Sequence, residues 1–204
     1  GILSVMSDLS QRFQSFLKKN GMIAPGSRVL VAVSGGADSI ALLSLLNEAA
    51  ARFSLQLEAA HLDHGLRLES VLDAEFVVAL CARLGIHLTA ERRDVAGRAL
   101  RLKGNLEEVG RLVRRDFLHA TARQRQCGLI ALGHHRDDQA ETFLLRLLRG
   151  SGPAGLAGMR PVADQFVRPL LEFRRADIID YLRASGQEWR EDASNTDIAL
   201  TRNR

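Results

Sequence analysis

The sequence predicts an α/β fold built on a doubly wound, mainly parallel sheet with helices on both faces. Short apolar runs that are typical of buried strands alternate with amphipathic helical patterns along the chain. A glycine-rich turn joins the first apolar run directly to a helix, as expected where a ligand binds beyond the carboxyl end of a strand. The 204 residues, 46% hydrophobic and 25% charged, suffice for a large globular domain and exclude a disordered, collagenous or disulfide-scaffold protein.

The predicted elements of the first half begin with an amphipathic helix over residues 7–20, which ends at Asn20-Gly21. Val29 to Val33 is an unbroken, β-branched apolar run, the pattern of a strand buried on both faces. The glycine-rich turn follows this strand and leads into a helix over residues 40–51. The pattern then repeats as a strand over 56–62, a helix over 71–84 and a strand over 86–90.

The second half continues the alternation. Asn105 and Glu108 have the spacing of a capping box and predict the start of a helix over 106–124. The next elements are a strand over 129–132, a helix from Asp138 to Arg149, a strand over 166–170 and a helix over 175–185. Residues 150–158 hold four glycines and a proline, which predicts a mobile loop over a site. A polar tail from Glu191 to Arg204 follows the last helix.

The positive charge is concentrated in the second half of the chain. The formal net charge is +4, and residues 1–100 carry 10 basic and 10 acidic side chains, whereas residues 101–204 carry 18 and 14. The segment from Arg98 to Arg125 has eight basic residues against three acidic ones. This segment either attracts a phosphate backbone or forms a solvated helix face with ion pairs such as Glu107 to Arg111.

The cysteines and the apolar segments indicate the compartment. Cys81 and Cys127 lie in unrelated contexts, without a CxxC pattern or a Cys/His cluster, which fits a reducing compartment and argues against zinc. No apolar run approaches the ~18 residues of a membrane span, and the amino terminus has no signal-peptide pattern. We therefore expect a cytoplasmic protein with no membrane association.

The segment from Ser34 to Ser39 predicts a phosphate cradle between a strand and a helix. Its glycines, Gly35 and Gly36, allow close backbone approach, the serines add hydroxyl donors, and the helix presents its positive end to an anion. The segment lacks the lysine of a Walker A loop and the spacing of a dinucleotide fingerprint. Asp38 would repel phosphate unless a cation lies between them, so we expect Asp38 to hold Mg²⁺.

Two histidine-containing segments follow other predicted strands. His61 and His64 flank the end of the second strand, while Gly133-His134-His135 follows the strand over 129–132. Asp137, Asp138 and Glu141 begin the next helix, so these groups should converge on the crevice that holds the phosphate cradle. Metal ligation by the paired histidines and plain loop packing both remain open alternatives, although adjacent side chains on extended backbone point in opposite directions.

The loop Ser34-Gly35-Gly36-Ala37-Asp38-Ser39 is similar to the SGGxDS loop of the N-type ATP pyrophosphatases. Other segments resemble, more narrowly, the bacterial tRNA(Ile)-lysidine synthetases over almost the whole chain from about Arg28. These segments are residues 61–67, 133–142, 149–152, 168–170 and 191–195. The resemblance implies the ATP pyrophosphatase fold and a ligase that adenylates the wobble cytidine (position 34) of tRNA(Ile) and then attaches lysine at C2. AMP and pyrophosphate would be released.

The same resemblance implies roles for particular residues. Asp38 and Asp138 would be catalytic, with Asp38 also holding magnesium. The ATP-binding set would be Ser34, Gly35, Gly36, Ala37, Asp38, Ser39, His61, Arg67, Gly133 and His134. The set that binds tRNA and other substrate groups would be Glu107, Arg111, Arg114, Glu141, Arg149 and Arg202.

The resemblance also implies what the protein works with. ATP and Mg²⁺, free L-lysine and a tRNA(Ile) with a CAU anticodon would be its cofactors and partners, and it would form a homodimer. We expect residues 1–204 to be a single N-terminal catalytic domain, cut before further tRNA-binding domains. Two alternatives stay open: a sulfur-inserting tRNA modifier on the same loop, and a nucleotide- and tRNA-binding protein without turnover.

Overall fold

The computed structural model describes residues 2–65, 70–148 and 158–191, in which helices and strands alternate as predicted. In chain order the elements are α1 (Ile2–Lys19), β1 (Arg28–Ala32), α2 (Ala37–Phe53), β2 (Gln56–Asp63), α3 (Ser70–Leu84), β3 (His87–Arg92), α4 (Val95–Leu102), α5 (Leu106–Gln124), β4 (Leu129–Ala131), α6 (Arg136–Leu148), β5 (Val162–Ala163), β6 (Phe166–Val167) and α7 (Arg175–Ser185).

The strands form one sheet in the order β3-β2-β1-β4-β6-β5. All neighbouring pairs are parallel except β5 and β6, which form an antiparallel hairpin. The chain moves outward from β1 through β2 to β3 and then returns to place β4 on the other side of β1. The carboxyl ends of β1 and β4 therefore flank the point where the strand order reverses, which is where such sheets bind ligands.

Strand β1 shows why the fold has two helical layers. Val29, Val31 and Val33 belong to the core that α1, α2, α3 and α7 cover, while Leu30 and Ala32 belong to a second core beneath α5. Side chains alternate between the faces of a strand, so a central strand with both faces covered has an unbroken apolar sequence. The predicted doubly wound sheet is confirmed.

Three local features differ from the sequence prediction. Helix α4 was not predicted; its Val95 and Ala99 pack against α5, and its N-cap is Asp94, whose carboxylate accepts a hydrogen bond from the Gly97 N–H. The predicted strand over 166–170 ends after two residues, because the chain turns at Pro169, where the Leu171 N–H donates to the Arg168 carbonyl; the short strand also pairs with β5, which was not predicted, through a turn at Asp164 (φ 53°). Helix α1 begins before residue 7. The predicted loop over 150–157 and the tail after Glu191 lie outside the described residues.

Candidate active site

The phosphate cradle is held together by its own serines. The Ser39 hydroxyl accepts a hydrogen bond from the Ser34 N–H at 3.1 Å and donates one to the Gly36 carbonyl at 3.0 Å, and it lies 3.1 Å from the Ser34 hydroxyl. Helix α2 begins at Ala37 with Gly36 as its N-cap. Glycine carries no side-chain acceptor, so the first N–H groups of this helix remain available to an anion.

The segment after α7 packs against the cradle. Gly35 has φ 98°, a conformation that favours glycine, and its carbonyl accepts a hydrogen bond from the Arg190 N–H at 2.9 Å. The Arg190 guanidinium in turn donates to Asp73 of α3 at 3.0 Å. The sequence analysis did not identify Arg190 or Asp73. Their hydrogen bond joins positions 117 apart in the chain, and no local pattern indicates it.

A cavity of about 380 Å³ opens beside the cradle, between the carboxyl ends of β1 and β2 and helix α5. Its volume lies within the range of small-molecule sites. The residues that shape it include Ser34, Gly36, His61, His64, Arg114 and Phe117. His61 is 4% exposed and its Nδ1 donates to the Val33 carbonyl at 2.8 Å, which fixes the orientation of the ring at the cavity wall.

Gly133 brings the loop after β4 against the start of α2. A Cβ atom on Gly133 would lie 3.2 Å from both the Asp38 carbonyl carbon and the Ser39 nitrogen, so any side chain would push the two segments apart. Sequence reasoning assigned Gly133 to ATP binding. The structure gives the residue a packing reason, which is that it places the following residues beside Asp38.

His135, which was not among the predicted site residues, connects the two predicted catalytic carboxylates. Its Nε2 lies 3.5 Å from Asp38 Oδ2, and its Nδ1 accepts a hydrogen bond from the Asp137 N–H at 3.2 Å. The backbone N–H of His135 donates to Asp138 Oδ2 at 2.8 Å. Burial alone would lower the pKa of His135, but the hydrogen bond and charge of Asp38 and the nearby charge of Asp138 outweigh it, so the pKa is raised.

Asp38 fits the predicted role of a magnesium ligand. Its Oδ1 is buried and has no hydrogen-bond partner, and a hard cation binds carboxylate oxygen of this kind. The parts of the chain that the structure describes contain no group of three or more His, Cys, Asp or Glu side chains suited to a metal ion. Asp38 would therefore share the ion with phosphate oxygens and water.

His134 and its neighbour occupy different surroundings, as expected for adjacent side chains on extended backbone. Burial, together with the positive charges of Arg114 and Arg168, lowers the pKa of His134 to about 4. Its Nδ1 is buried without a hydrogen-bond partner. His134 is thus a neutral ring beside two cations, while His135 lies among carboxylates. Nothing in this arrangement supports a shared metal on the two histidines.

The three predicted site residues on helix α5, Glu107, Arg111 and Arg114, lie in two different environments. Glu107 and Arg111 form an ion pair at 2.6 Å, with side chains 73% and 79% exposed, which matches the solvated-face alternative. Arg114 lies one turn further along, at the wall of the cavity, where its surroundings lower its pKa by desolvation although part of the side chain reaches solvent. Only Arg114 of the three therefore lines the cavity.

Helix α6 carries the remaining predicted residues. Asp138 lies in its first turn, and Glu141 is exposed nearly one turn further on. Asp137 accepts a hydrogen bond from the Arg175 N–H at 2.9 Å, so it ties α6 to α7. The predicted site residues Arg67, Arg149 and Arg202 lie outside the described residues.

The matching family model is described as the PP-loop domain, and it matches residues 5–204. The chain belongs to this family. It is 49% identical over 185 residues to a protein of Solibacter usitatus named tRNA(Ile)-lysidine synthase, covering 90% of this chain and 40% of that protein. A Thermus thermophilus protein of the same name is 49% identical, with 89% and 34% covered. The chain thus spans less than half the length of these curated relatives.

Solved structures share the fold. The U34-tRNA thiolase NcsA from Methanococcus maripaludis has a TM-score of 0.78 at 18% identity, covering 92% of this chain and 66% of that one. The NH3-dependent NAD synthetase from Campylobacter jejuni has a TM-score of 0.57 at 16% identity, covering 91% and 74%. These likenesses support the predicted architecture. Among the described helices, none is long and apolar enough to cross a membrane.

Proposed function

We propose that this chain is the ATP-using part of a ligase that attaches lysine to C2 of the wobble cytidine of tRNA(Ile). The observation that carries the proposal is the 49% identity, over 90% of the chain, to a protein named tRNA(Ile)-lysidine synthase. The geometry supports it, because the carboxylates of Asp38 and Asp138 meet through His135 directly beside the phosphate cradle.

ATP would bind across the cradle and the cavity. The N–H groups at the start of α2 would donate hydrogen bonds to phosphate oxygens, since they lie at the positive end of the helix dipole and no side chain caps them. The nucleoside would occupy the cavity lined by His61 and Arg114. Asp38 would hold Mg²⁺, and a bound magnesium ion would neutralise phosphate charge and stabilise the departing pyrophosphate.

The proposed reaction has two steps. In the first, O2 of the cytidine attacks the α-phosphorus of ATP, and the bond from that phosphorus to pyrophosphate breaks. In the second, the side-chain amine of lysine attacks C2, AMP leaves, and the amine loses a proton. Asp138 would orient this amine and accept the proton, because it is a carboxylate held at one oxygen by the His135 N–H. Glu141 on the same helix would help to bind the lysine ammonium.

The tRNA would lie along the basic surface of α5. Arg111 and Arg114, with Arg149 and Arg202 and with Glu107 as a polar contact, would meet the anticodon region of a tRNA(Ile) with the CAU anticodon. Arginine contacts to phosphate supply affinity without sequence preference, so selectivity requires further contacts. We infer that a longer protein, such as the relatives, supplies them, and that the protein acts in the cytoplasm as a homodimer.

The sulfur-inserting alternative is less well supported. The structural likeness to a tRNA thiolase concerns the fold, and this chain has only two cysteines. Both are buried, and desolvation raises the pKa of Cys81 and of Cys127 to about 11, which keeps them as unreactive thiols. A binding protein without turnover would not need Asp38 and Asp138 to be intact.

One assay tests the proposal. The chain, and a longer protein that contains it, are incubated with ATP, Mg²⁺, transcribed tRNA(Ile) and radiolabelled lysine, and acid-insoluble label is counted. We expect label that depends on ATP and disappears when the wobble cytidine is replaced. The longer protein should give more label. Incorporation of labelled sulfide in place of lysine, or ATP binding without any product from either protein, would contradict the ligase.

A further inference from the structure

The guanidinium of Arg168 has no ionic partner among the described residues. Arg168 directly follows β6, its N–H donates to the Pro161 carbonyl at 2.8 Å, and its Nη1 donates to the Arg160 carbonyl at 2.9 Å. Its Nε is buried and has no hydrogen-bond partner. The side chain is therefore anchored at one nitrogen by backbone, while its charge is left uncompensated by any described carboxylate.

Arg168 lies close to the candidate active site because β6 neighbours β4. Val167 is in register with Ala131, and the Leu132 N–H donates to the Val167 carbonyl at 2.9 Å, so Arg168 flanks the segment Gly133-His134. Arg114 approaches the same histidine from α5, and both arginines act electrostatically on its ring. The Arg168 guanidinium thus lies near a neutral imidazole at the carboxyl ends of β4 and β6.

The carboxylate that acts on the His134 ring already has a hydrogen-bond partner. Asp138 also acts on His134, but its Oδ2 accepts the His135 N–H at 2.8 Å. Arg168 is half-buried, desolvation lowers its pKa, and its buried Nε has no hydrogen-bond partner among the described residues. Poorly solvated charges without a partner cost free energy, and an anionic ligand removes that cost.

We propose that Arg168 forms an oxyanion subsite that binds a phosphoryl or carboxylate group of a substrate. The inference rests on the proposed function for the identity of the ligand, since that reaction offers both kinds of oxyanion. One is the triphosphate of ATP and the other is the carboxylate of lysine. Arginine binds either group through paired hydrogen bonds.

Calorimetry with Arg168→Gln tests the subsite. Glutamine retains an N–H for the Arg160 carbonyl and removes the charge, and Arg160→Ala is the matched control because it removes an exposed charge from the same segment. The probes are a non-hydrolysable ATP analogue, adenosine, inorganic phosphate, L-lysine and cadaverine, which is lysine without its carboxylate. Circular dichroism and thermal unfolding verify that both variants fold. Arg168→Lys should recover part of the lost affinity.

The two sources of the oxyanion give different results. If the subsite binds phosphate, Arg168→Gln weakens the ATP analogue about 10- to 100-fold, the loss of one charged hydrogen-bonding group, and leaves adenosine unchanged. If it binds carboxylate, the affinity for lysine falls by that factor and the affinity for cadaverine does not change. Unchanged affinity for every oxyanion that the wild-type chain binds would overturn the inference, as would equal losses for probes with and without the oxyanion.

Failure of the proposed function would be visible separately. A wild-type chain that binds neither the ATP analogue nor lysine contradicts the proposed function. In that case the affinity for inorganic phosphate alone tests the proposed subsite. Binding of phosphate that is lost in Arg168→Gln and kept in Arg160→Ala supports the subsite, and no such dependence overturns it.

Discussion

The two sides of the crevice differ in how many of their buried polar groups have hydrogen-bond partners in the absence of a ligand. On one side, the backbone of the cradle is held by hydrogen bonds from Ser34 and Ser39. On the other side, His134 and Arg168 each have one buried side-chain atom without a partner among the described residues, and the Asp38 side chain, which extends from the cradle, has another. Buried polar groups are nearly always paired in folded proteins, so three exceptions around one crevice require an explanation.

The difference indicates which groups would contribute free energy to the binding of a ligand in the crevice. The cradle is preformed, because serines five residues apart fix its shape before a ligand arrives. The opposite side keeps charges and polar atoms that cost stability until phosphate, magnesium or substrate completes them. Variants that distinguish shape from charge should therefore affect the two sides in different ways.

The largest effect is expected for Asp38→Ala. Pyrophosphate release should fall by at least ~1000-fold, because the variant removes the carboxylate that we assign to magnesium. The free energy of unfolding should change little, since removal of the unpartnered Oδ1 offsets the loss of the contact between Oδ2 and His135 Nε2 at 3.5 Å. A pyrophosphate assay and urea unfolding measure the two quantities.

Asp180→Ala provides the control for Asp38→Ala, because it removes an exposed carboxylate on α7, away from the cradle. Its pyrophosphate release should match the wild type. Normal turnover of Asp38→Ala at saturating magnesium would remove Asp38 from the mechanism.

Asp138→Asn should separate chemistry from nucleotide binding. The amide oxygen can still accept the His135 N–H, so ATP affinity should stay within about tenfold. Lysine transfer should fall by at least ~100-fold, because the charge that orients the amine and accepts its proton is lost. Asp137→Asn is the matched control: its amide oxygen can still accept the Arg175 N–H at the start of α7, so stability and transfer should both stay nearly normal. Equal transfer by both variants would contradict the assignment.

Gly133→Ala tests whether the loop after β4 must be in close contact with the start of α2. The added methyl would meet backbone atoms of Asp38 and Ser39 at 3.2 Å, which neither segment can relieve by a side-chain rotation. We expect a loss of about 1–3 kcal/mol in the free energy of unfolding, the usual cost of overpacking. Weaker binding of the ATP analogue should accompany it.

Gly128→Ala is the control for Gly133→Ala, since an added methyl there meets no atom within 4 Å. Its stability should be near that of the wild type in the same urea titration. If both variants unfold alike, the close approach at Gly133 is not what holds the loop after β4 in place.

Local patterns predicted the parts of the site that local sequence builds. The buried strand β1, the serine and glycine cradle, and the Asn105 cap of α5, which accepts the Glu107 N–H, follow from residues close together in the chain. The connections across the fold could not be predicted in this way. Arg190 reaches Gly35 and Asp73 only after α7 has packed, and α4 exists because α5 covers its apolar side. The second histidine and Arg168 were visible in motifs, but their partners were not.

The smallest effect concerns the outer rim of the charged side, where Arg111 and Arg114 differ. The charge of Arg111 is balanced by Glu107, whereas Arg114 has no ionic partner among the described residues and lines the cavity. Arg114→Ala should lower the magnitude of the slope of log K against log salt for tRNA by about 0.7 to 0.9, the value of one phosphate contact. Arg111→Ala should lower it less, because tRNA must compete with the ion pair. Glu107→Ala, which frees Arg111, should strengthen binding slightly and make it more salt-sensitive. Titration of the three variants with tRNA(Ile) at several salt concentrations measures these slopes. Equal slopes for Arg111→Ala and Arg114→Ala would show that the ion pair does not restrain Arg111, and no change in either would assign both residues to a solvated helix face.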